Sequence, residues 1–286
     1  MRVENFPPPG SKVPASDFVI TGGGCAANAA VAIARLQGRV AFAGPLGGGN
    51  DAVSERIVAD LIAEGVDCSG AVRVPGGTAS VSLILLDAHG EKTIATRRGV
   101  KLGDALPKDA DRLVADADAV LVDNRFPDFV TAVCRAARQR KIPVVIDLDQ
   151  ATRVDDPLLA LGTHVIASVE ALRATTSLND DGPALKRLAE HVGGFLAVTD
   201  GPHGVTWLDA GHVRHMPAFK VKAIDSLGAG DAFHGAFTLA LAEGRDLAAA
   251  MRFAGATAAL KCTKFGGASG APTRAEVEAF LKQQNA

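Results

Sequence analysis

Short, almost wholly apolar runs alternate along this chain with longer stretches in which apolar positions return every three or four residues. AVLVD (Ala119–Asp123), PVVIDLD (Pro143–Asp149), HVIAS (His164–Ser168) and GFLAVTDG (Gly194–Gly201) are of the first kind, the pattern of strands buried on both faces. Arg39–Gly44 reads as one more strand. Helical periodicity follows these strands, as around Phe129–Arg138, and dominates from Asp231 onward. There Phe233, Phe237 and Leu241 recur four apart and share one helix face. The pattern predicts helices over Asp231–Glu243, Leu247–Cys262 and Thr273–Lys282, an alanine-rich helix within Gly22–Leu36, and an amphipathic helix over Asp51–Gly65 that Gly65 ends. Gly204–Ala210 and His212–Ala218 form a hairpin across Gly211. Ala71–Gly99 differs in texture: it is β-rich, with turn signals at Pro75-Gly76-Gly77 and Asp87–Gly90, and predicts a small antiparallel sheet inserted between helices. Strand–helix alternation elsewhere predicts an α/β fold with a mostly parallel central sheet covered on both faces. Ligands in such sheets bind beyond the carboxyl ends of the strands.

Composition narrows the class. A chain of 286 residues fits one large α/β domain with a small appendage. Hydrophobic residues make up 48% and charged residues 22%, which excludes a disordered chain. The net charge of -2 gives no ground for nucleic acid or an anionic membrane as partner. Four cysteines, Cys25, Cys68, Cys134 and Cys262, are scattered without a C-x-x-C pair, against a zinc site and in keeping with thiols in a reducing cytoplasm. The opening residues, MRVENFPPPGSK, carry charges and prolines where a signal peptide needs an apolar stretch. No apolar run approaches the ~20 residues of a membrane span.

Three glycine-rich stretches carry candidate chemistry. In DSLGAGD (Asp225–Asp231), Gly228, Ala229 and Gly230 lead into a helix start, where N–H groups can cradle phosphate oxygens. Asp231 at that mouth either caps the helix or takes a proton from an attacking hydroxyl, and spacing alone leaves both open. GGGCAAN places Gly23, Gly24 and Asn28 at a second helix start, where glycines admit a ligand to the backbone and Asn28 offers a donor and an acceptor. A dinucleotide fingerprint would need a third glycine where this chain has Cys25, Ala26 and Ala27. VTDGPHG, with Thr199, Gly201 and Gly204, reads by itself as a strand followed by a turn.

Together these stretches resemble the PfkB/ribokinase family of carbohydrate kinases. DSLGAGDAFHGAF is similar to its C-terminal signature, whose commoner form begins D-T-T-G-A-G-D; here Ser226 and Leu227 replace the threonines. The GGGCAAN stretch resembles the family's sugar-binding G-G-x-x-x-N, VTDGPHG its nucleotide loop T-x-G-x-x-G, and AALKCTKFGGASGAP (Ala258–Pro272) its closing segment beside the adenine. The resemblance implies a ribokinase-like three-layer sandwich over residues 1–286, with a β-sheet lid from segments about 1–21 and 70–99. It implies an ATP-dependent sugar kinase using Mg²⁺, with Asp231 as base, the Gly228, Ala229 and Gly230 amides as anion hole, and Thr199, Gly201, Gly204 and Gly228 on the nucleotide. Gly23, Gly24 and Asn28 would hold the sugar. A cytoplasmic homodimer paired through the lid is implied as well.

The chain also departs from the family pattern. Members open with a core strand that ends near a sugar-binding Asp, whereas MRVENFPPPGSK resembles the lid strand that follows, so a longer form is expected to be soluble and active. The N-x-x-E motif that arranges magnesium is replaced by Ser168–Ala171, with Glu170 one position off. Mg²⁺ would then be held mainly by ATP phosphates and waters. Asp147 and Asp149 are either helpers there or caps of the following turn. Within the family the likeness is to kinases of sulfonated ketoses such as sulfofructose, which would place Lys12, Thr96 and Arg125 on the substrate. The chemistry suits a sulfonate, though Lys12 could be solvated and Arg125 could pair with Asp123 or Asp128. The alternative is a catalytically impaired sugar- or nucleotide-binding member of the same fold.

Overall fold

The computed structural model describes residues 1–88 and 92–284. His89 and Gly90, half of the turn signal at Asp87–Gly90, therefore lie outside the described residues. In chain order the elements are β1 (Arg2–Val3), β2 (Ala15–Asp17), α1 (Cys25–Arg35), β3 (Ala41–Gly47), α2 (Ala52–Ala63), β4 (Asp67–Val74), β5 (Val81–Leu86) and β6 (Lys92–Arg97). There follow α3 (Ala110–Leu113), β7 (Val120–Asp123), α4 (Pro127–Gln139), β8 (Val144–Leu148), β9 (His164–Ser168), α5 (Val169–Thr176) and α6 (Asp181–Ala189). The chain closes with β10 (Phe195–Thr199), β11 (Val205–Asp209), β12 (His212–Met216), α7 (Ala229–Ala242), α8 (Leu247–Cys262) and α9 (Arg274–Gln283).

The main sheet runs β12-β11-β10-β9-β8-β7, parallel from β10 to β7 and closed at its far edge by the antiparallel β11–β12 hairpin. Gly211 turns that hairpin at φ 80°, a conformation that favours glycine. Val144–Leu148 is buried along its whole length, because helices cover both faces. One cluster joins Ile146, Leu148, Val165 and Val198 to α4, α5 and α6. Another packs Phe233 and Phe237 of α7, with Phe253 of α8, on the opposite face. Asp51 caps α2 by accepting the Ser54 N–H at 3.2 Å, and Gly65 follows the helix at φ 84°.

Ala71–Val74 does not join the antiparallel lid sheet that its sequence predicts; it forms the end of β4, which lies parallel to β3. The reason is connectivity: β3–α2–β4 is a crossover unit, and a crossover joins parallel strands. The lid sheet is β2-β1-β5-β6, in which β5 and β6 are an antiparallel hairpin while β1 runs parallel to β5.

The β3–β4 pair is a sheet of its own. Among the described residues, no strand bonds the free edge of β3 or of β7, although α1 packs against both. A cavity of about 2340 Å³ opens between them, lined by Val40–Leu46 on one side and Ala119–Asp123 on the other. The expected central sheet is thus present in two pieces with a gap between, and the gap is continuous with the site described next.

Candidate active site

Two helix starts open on this cavity, each introduced by a glycine at positive φ: Gly24 (104°) before α1 and Gly228 (79°) before α7. Gly228 is the N-cap of α7, so Asp231, the third residue of the helix, is left for another task. Its Oδ2 accepts a hydrogen bond from Asn28 Nδ2 at 2.6 Å. The contact depends on α7 lying close against α1. A Cβ added at Gly235 would stand 2.6 Å from the Ala29 carbonyl oxygen. Gly228 is constrained by its φ of 79° and not by space: a side chain there would meet Asp231 Oδ2 at 3.7 Å, Asn28 Nδ2 at 3.8 Å and the Ala268 amide at 3.8 Å, all ordinary contacts.

Burial pushes the Asp231 carboxyl above the usual carboxylate range, against the Asn28 hydrogen bond that favours the ionised form. The Cys25 thiol, Asp147 and Asp231 place their polar atoms within 4.8 Å of one another. Burial and then the charge of Asp231 hold the Asp147 carboxyl well above its ordinary range. The same burial and neighbouring charge therefore disfavour the ionised form of Asp147 beside Asp231. Burial likewise pushes the Cys25 thiol up, so no thiolate competes with Asp231 for a proton. An ionisable carboxylate of raised basicity, at a helix start and facing a cavity, suits a general base.

The expected anion hole is narrower than its sequence predicts. The Ala229 N–H donates to the Ser226 carbonyl at 3.2 Å and closes a turn. That leaves Gly228 and Gly230; in the first turn of a helix Gly230 has no preceding helical carbonyl to bond.

Gly23, Gly24, Asn28, Thr96 and Arg125 all line the cavity with Asp231. The Thr96 hydroxyl is 2.8 Å from that of Ser82 across the lid hairpin. Lys12 is not brought to the site: it is exposed, in the loop between β1 and β2, outside the cavity wall. The Arg125 guanidinium pairs with Asp149, a partner the sequence does not single out. Its main-chain N–H donates to Asp123 Oδ1 at 3.0 Å, and Nη2 lies 3.7 Å from Cys25 Sγ. Asp147 and Asp149 therefore do not cap the following turn; one sits behind the base and the other holds Arg125.

Thr199 ends β10 and Gly201 and Gly204 follow it, on the rim but outside the cavity around Asp231. Gly204 is dictated by packing: its φ is 103°, and a side chain would run into the Met216 carbonyl. Where the family motif N-x-x-E would stand, Ser168 caps α5 by accepting the Ala171 N–H at 3.1 Å, and Glu170 is exposed.

Three buried polar residues are given no role by the sequence reading. His234 lies under the base, its Nδ1 2.7 Å from the Gly230 carbonyl and its Nε2 3.2 Å from that of Ile166. Asp225 and Lys261 meet behind the glycine loop. All three show in the sequence as polar residues in phase with a buried helix face or at its threshold, a signal that apolar periodicity hides.

Comparison with known proteins places the chain in a family. Ribokinase from Bacillus subtilis is 31% identical over 281 residues, covering 96% of this chain and 92% of its own. A crystal structure from Agrobacterium tumefaciens, provisionally described as a ribokinase, superposes with a TM-score of 0.94 at 36% identity over 99% of this chain and 94% of that one. Arabidopsis thaliana ribokinase, solved with ribose and ATP, gives a TM-score of 0.83 at 25% identity over 98% of this chain and 94% of that one. The model of the pfkB family carbohydrate kinases matches residues 1–274, and this chain belongs to that family.

Proposed function

We propose that the protein transfers the γ-phosphoryl group of ATP to a primary hydroxyl of a sugar bound against Gly23, Gly24 and Asn28. The observation that carries the reading is Asp231 held by Asn28 at the start of α7, at the cavity wall. Asp231 takes the hydroxyl proton as the oxygen attacks in line, and the Gly228 and Gly230 amides face the charge that spreads over the phosphoryl oxygens. ATP stands beside Thr199, Gly201 and Gly204, the stretch that resembles the family's nucleotide loop; ATP as the donor is supported by the Arabidopsis relative, solved with ribose and ATP. Asp149 and Glu170, at the carboxyl ends of the neighbouring strands β8 and β9, are oxygen donors that suit Mg²⁺ through water. When bound, that ion neutralises phosphate charge.

The sugar is neutral and of ribose's class in this reading. Several cations line the cavity, but Arg125, the one beside Cys25 and the buried carboxyls, is already neutralised by Asp149, and Asp123 and Asp231 line the cavity too. An anionic ketose such as sulfofructose is the second reading. It is favoured by the Arg125 Nε, which is buried without a partner, since a sulfonate would draw the guanidinium from Asp149. Sugar-dependent ADP release, measured with ribose, fructose and sulfofructose, decides: turnover with ribose supports the first reading and turnover with sulfofructose alone the second. No turnover with any sugar leaves a binding protein.

The homodimer is proposed through the lid sheet. Phe18, Ile20 and Leu83 are 65%, 68% and 52% exposed on the lid segments, an apolar patch that a second copy would cover. Light scattering should give twice the 29.3 kDa chain mass, and Leu83→Glu should return it to one chain. Among the described residues no helix is long and apolar enough to cross a membrane.

A further inference from the structure

Lys261 is 0% exposed, on α8, and the phosphoryl-transfer scheme above makes no use of it. Its ammonium donates to the Asp225 main-chain carbonyl at 2.8 Å and lies 3.6 Å from Asp225 Oδ2. Asp225 is 3% exposed. One of its carboxylate oxygens accepts the Leu227 N–H at 2.8 Å, and the other accepts those of Gly266 and Gly267 at 3.0 and 3.4 Å. Ile224 and Asp225 donate their own N–H groups to the Cys262 carbonyl at 2.7 and 3.1 Å. Three pieces of chain converge here: the loop entering α7, the end of α8, and the loop that brings the Ala268 amide beside Gly228.

Burial lowers the proton affinity of Lys261, and Asp225 opposes that fall. Burial works to raise the Asp225 pKa, but the Leu227 and Gly266 N–H groups, with Lys261, hold it below the ordinary value. A buried ion pair of this kind rarely adds stability over an apolar filling. Its value lies in fixing geometry.

We infer that Lys261 is a positioning residue, a tethered internal cation that fastens the Asp225–Gly228 loop to the Gly266–Ala268 loop and so sets the Gly228 amide and Asp231 for phosphoryl transfer. The inference rests on reading residues 225–231 as the phosphoryl-transfer loop. Two consequences follow. The wild-type protein needs no free monovalent cation at this point. Truncating the side chain opens a place lined by a carbonyl and a carboxylate, the donor set that a free ammonium or potassium ion takes.

The test compares Lys261→Ala and Lys261→Met with the wild type, in tetramethylammonium chloride and then in ammonium or potassium chloride. In tetramethylammonium, Lys261→Ala should lose about 10²-fold in kcat, the scale of a misplaced reacting group, with the sugar KM little changed. Ammonium or potassium should restore at least about tenfold. Lys261→Met fills the space without charge and should stay impaired in every salt, while wild-type turnover should ignore the exchange. The thermal midpoint of Lys261→Ala should rise with ammonium or potassium and not with tetramethylammonium. That readout needs no turnover, so it stands even if the sugar-kinase reading fails on the wild type. A variant that folds only in ammonium or potassium supports the inference. Unchanged kcat in Lys261→Ala overturns it, as does a loss that neither ion repairs, or a midpoint that recovers while kcat does not. Failure to fold in every salt overturns it too.

Discussion

Asp231→Asn lowers kcat by about 10²–10⁴-fold, the range a positioned general base supplies, while ATP affinity is retained. The substitution keeps the size of the side chain and a partner for Asn28, whose donor stands 2.6 Å away in the wild type. What is lost is the carboxylate that accepts the proton. Isothermal titration with ATP and a coupled ADP assay separate the two effects, and near-normal turnover would exclude the base role. The pH profile adds an independent mark. Burial raises the Asp231 pKa, and only the ionised form can act, so wild-type kcat/KM falls as pH drops through a value above the ordinary carboxylate range. That acid limb is absent from Asp231→Asn. In Asn28→Ala it moves to higher pH, because the hydrogen bond that favours the ionised form is gone.

Much of this site is legible in the sequence because its parts are local. GGGCAAN and DSLGAGD each hold a helix start and its polar residue within a few positions, and one glycine of each, Gly24 and Gly228, sits at the positive φ that such starts need. The strand His164–Ser168 and the helix Leu247–Cys262 stand where apolar periodicity puts them. The pairing of Asn28 with Asp231, 203 residues apart, follows from neither stretch alone. Nor does the Arg125–Asp149 pair, which joins the ends of adjacent parallel strands. Lys261 shows why such groups hide. It falls in phase with Ala250, Phe253, Ala254 and Thr257, all buried on one face of α8. Periodicity marks that face as core and carries no information about which polar group the core will hold.

Strand partnership is the other thing that local patterns do not carry. Ala71–Val74 reads as β structure, yet what decides its neighbour is the helix before it: α2 carries the chain back so that β4 lies parallel to β3. The gap between β3 and β7 likewise belongs to the assembled sheet, since each strand by itself is well formed.

Gly235→Ala should disable the enzyme from the far side of the helix that carries its base. The added methyl would stand 2.6 Å from the Ala29 carbonyl oxygen and 3.3 Å from its carbon. Those are backbone atoms in the middle of α1, so no side-chain rotation relieves the clash and one helix must shift. Overpacking of this kind destabilises by about 1–3 kcal/mol, which appears as a lower Tm. The displacement also separates Asn28 from Asp231, which lie in the turns adjoining Ala29 and Gly235. A shift of an ångström at a reacting group lowers rate by up to about 10²-fold. At a temperature well below its Tm, Gly235→Ala should therefore lose kcat and show an altered acid limb. Gly193→Ala, where an added Cβ meets nothing within 4 Å, should keep both. A Gly235→Ala enzyme with lowered Tm but wild-type kcat and pH profile would show that the base keeps its place without the close approach of α1 and α7.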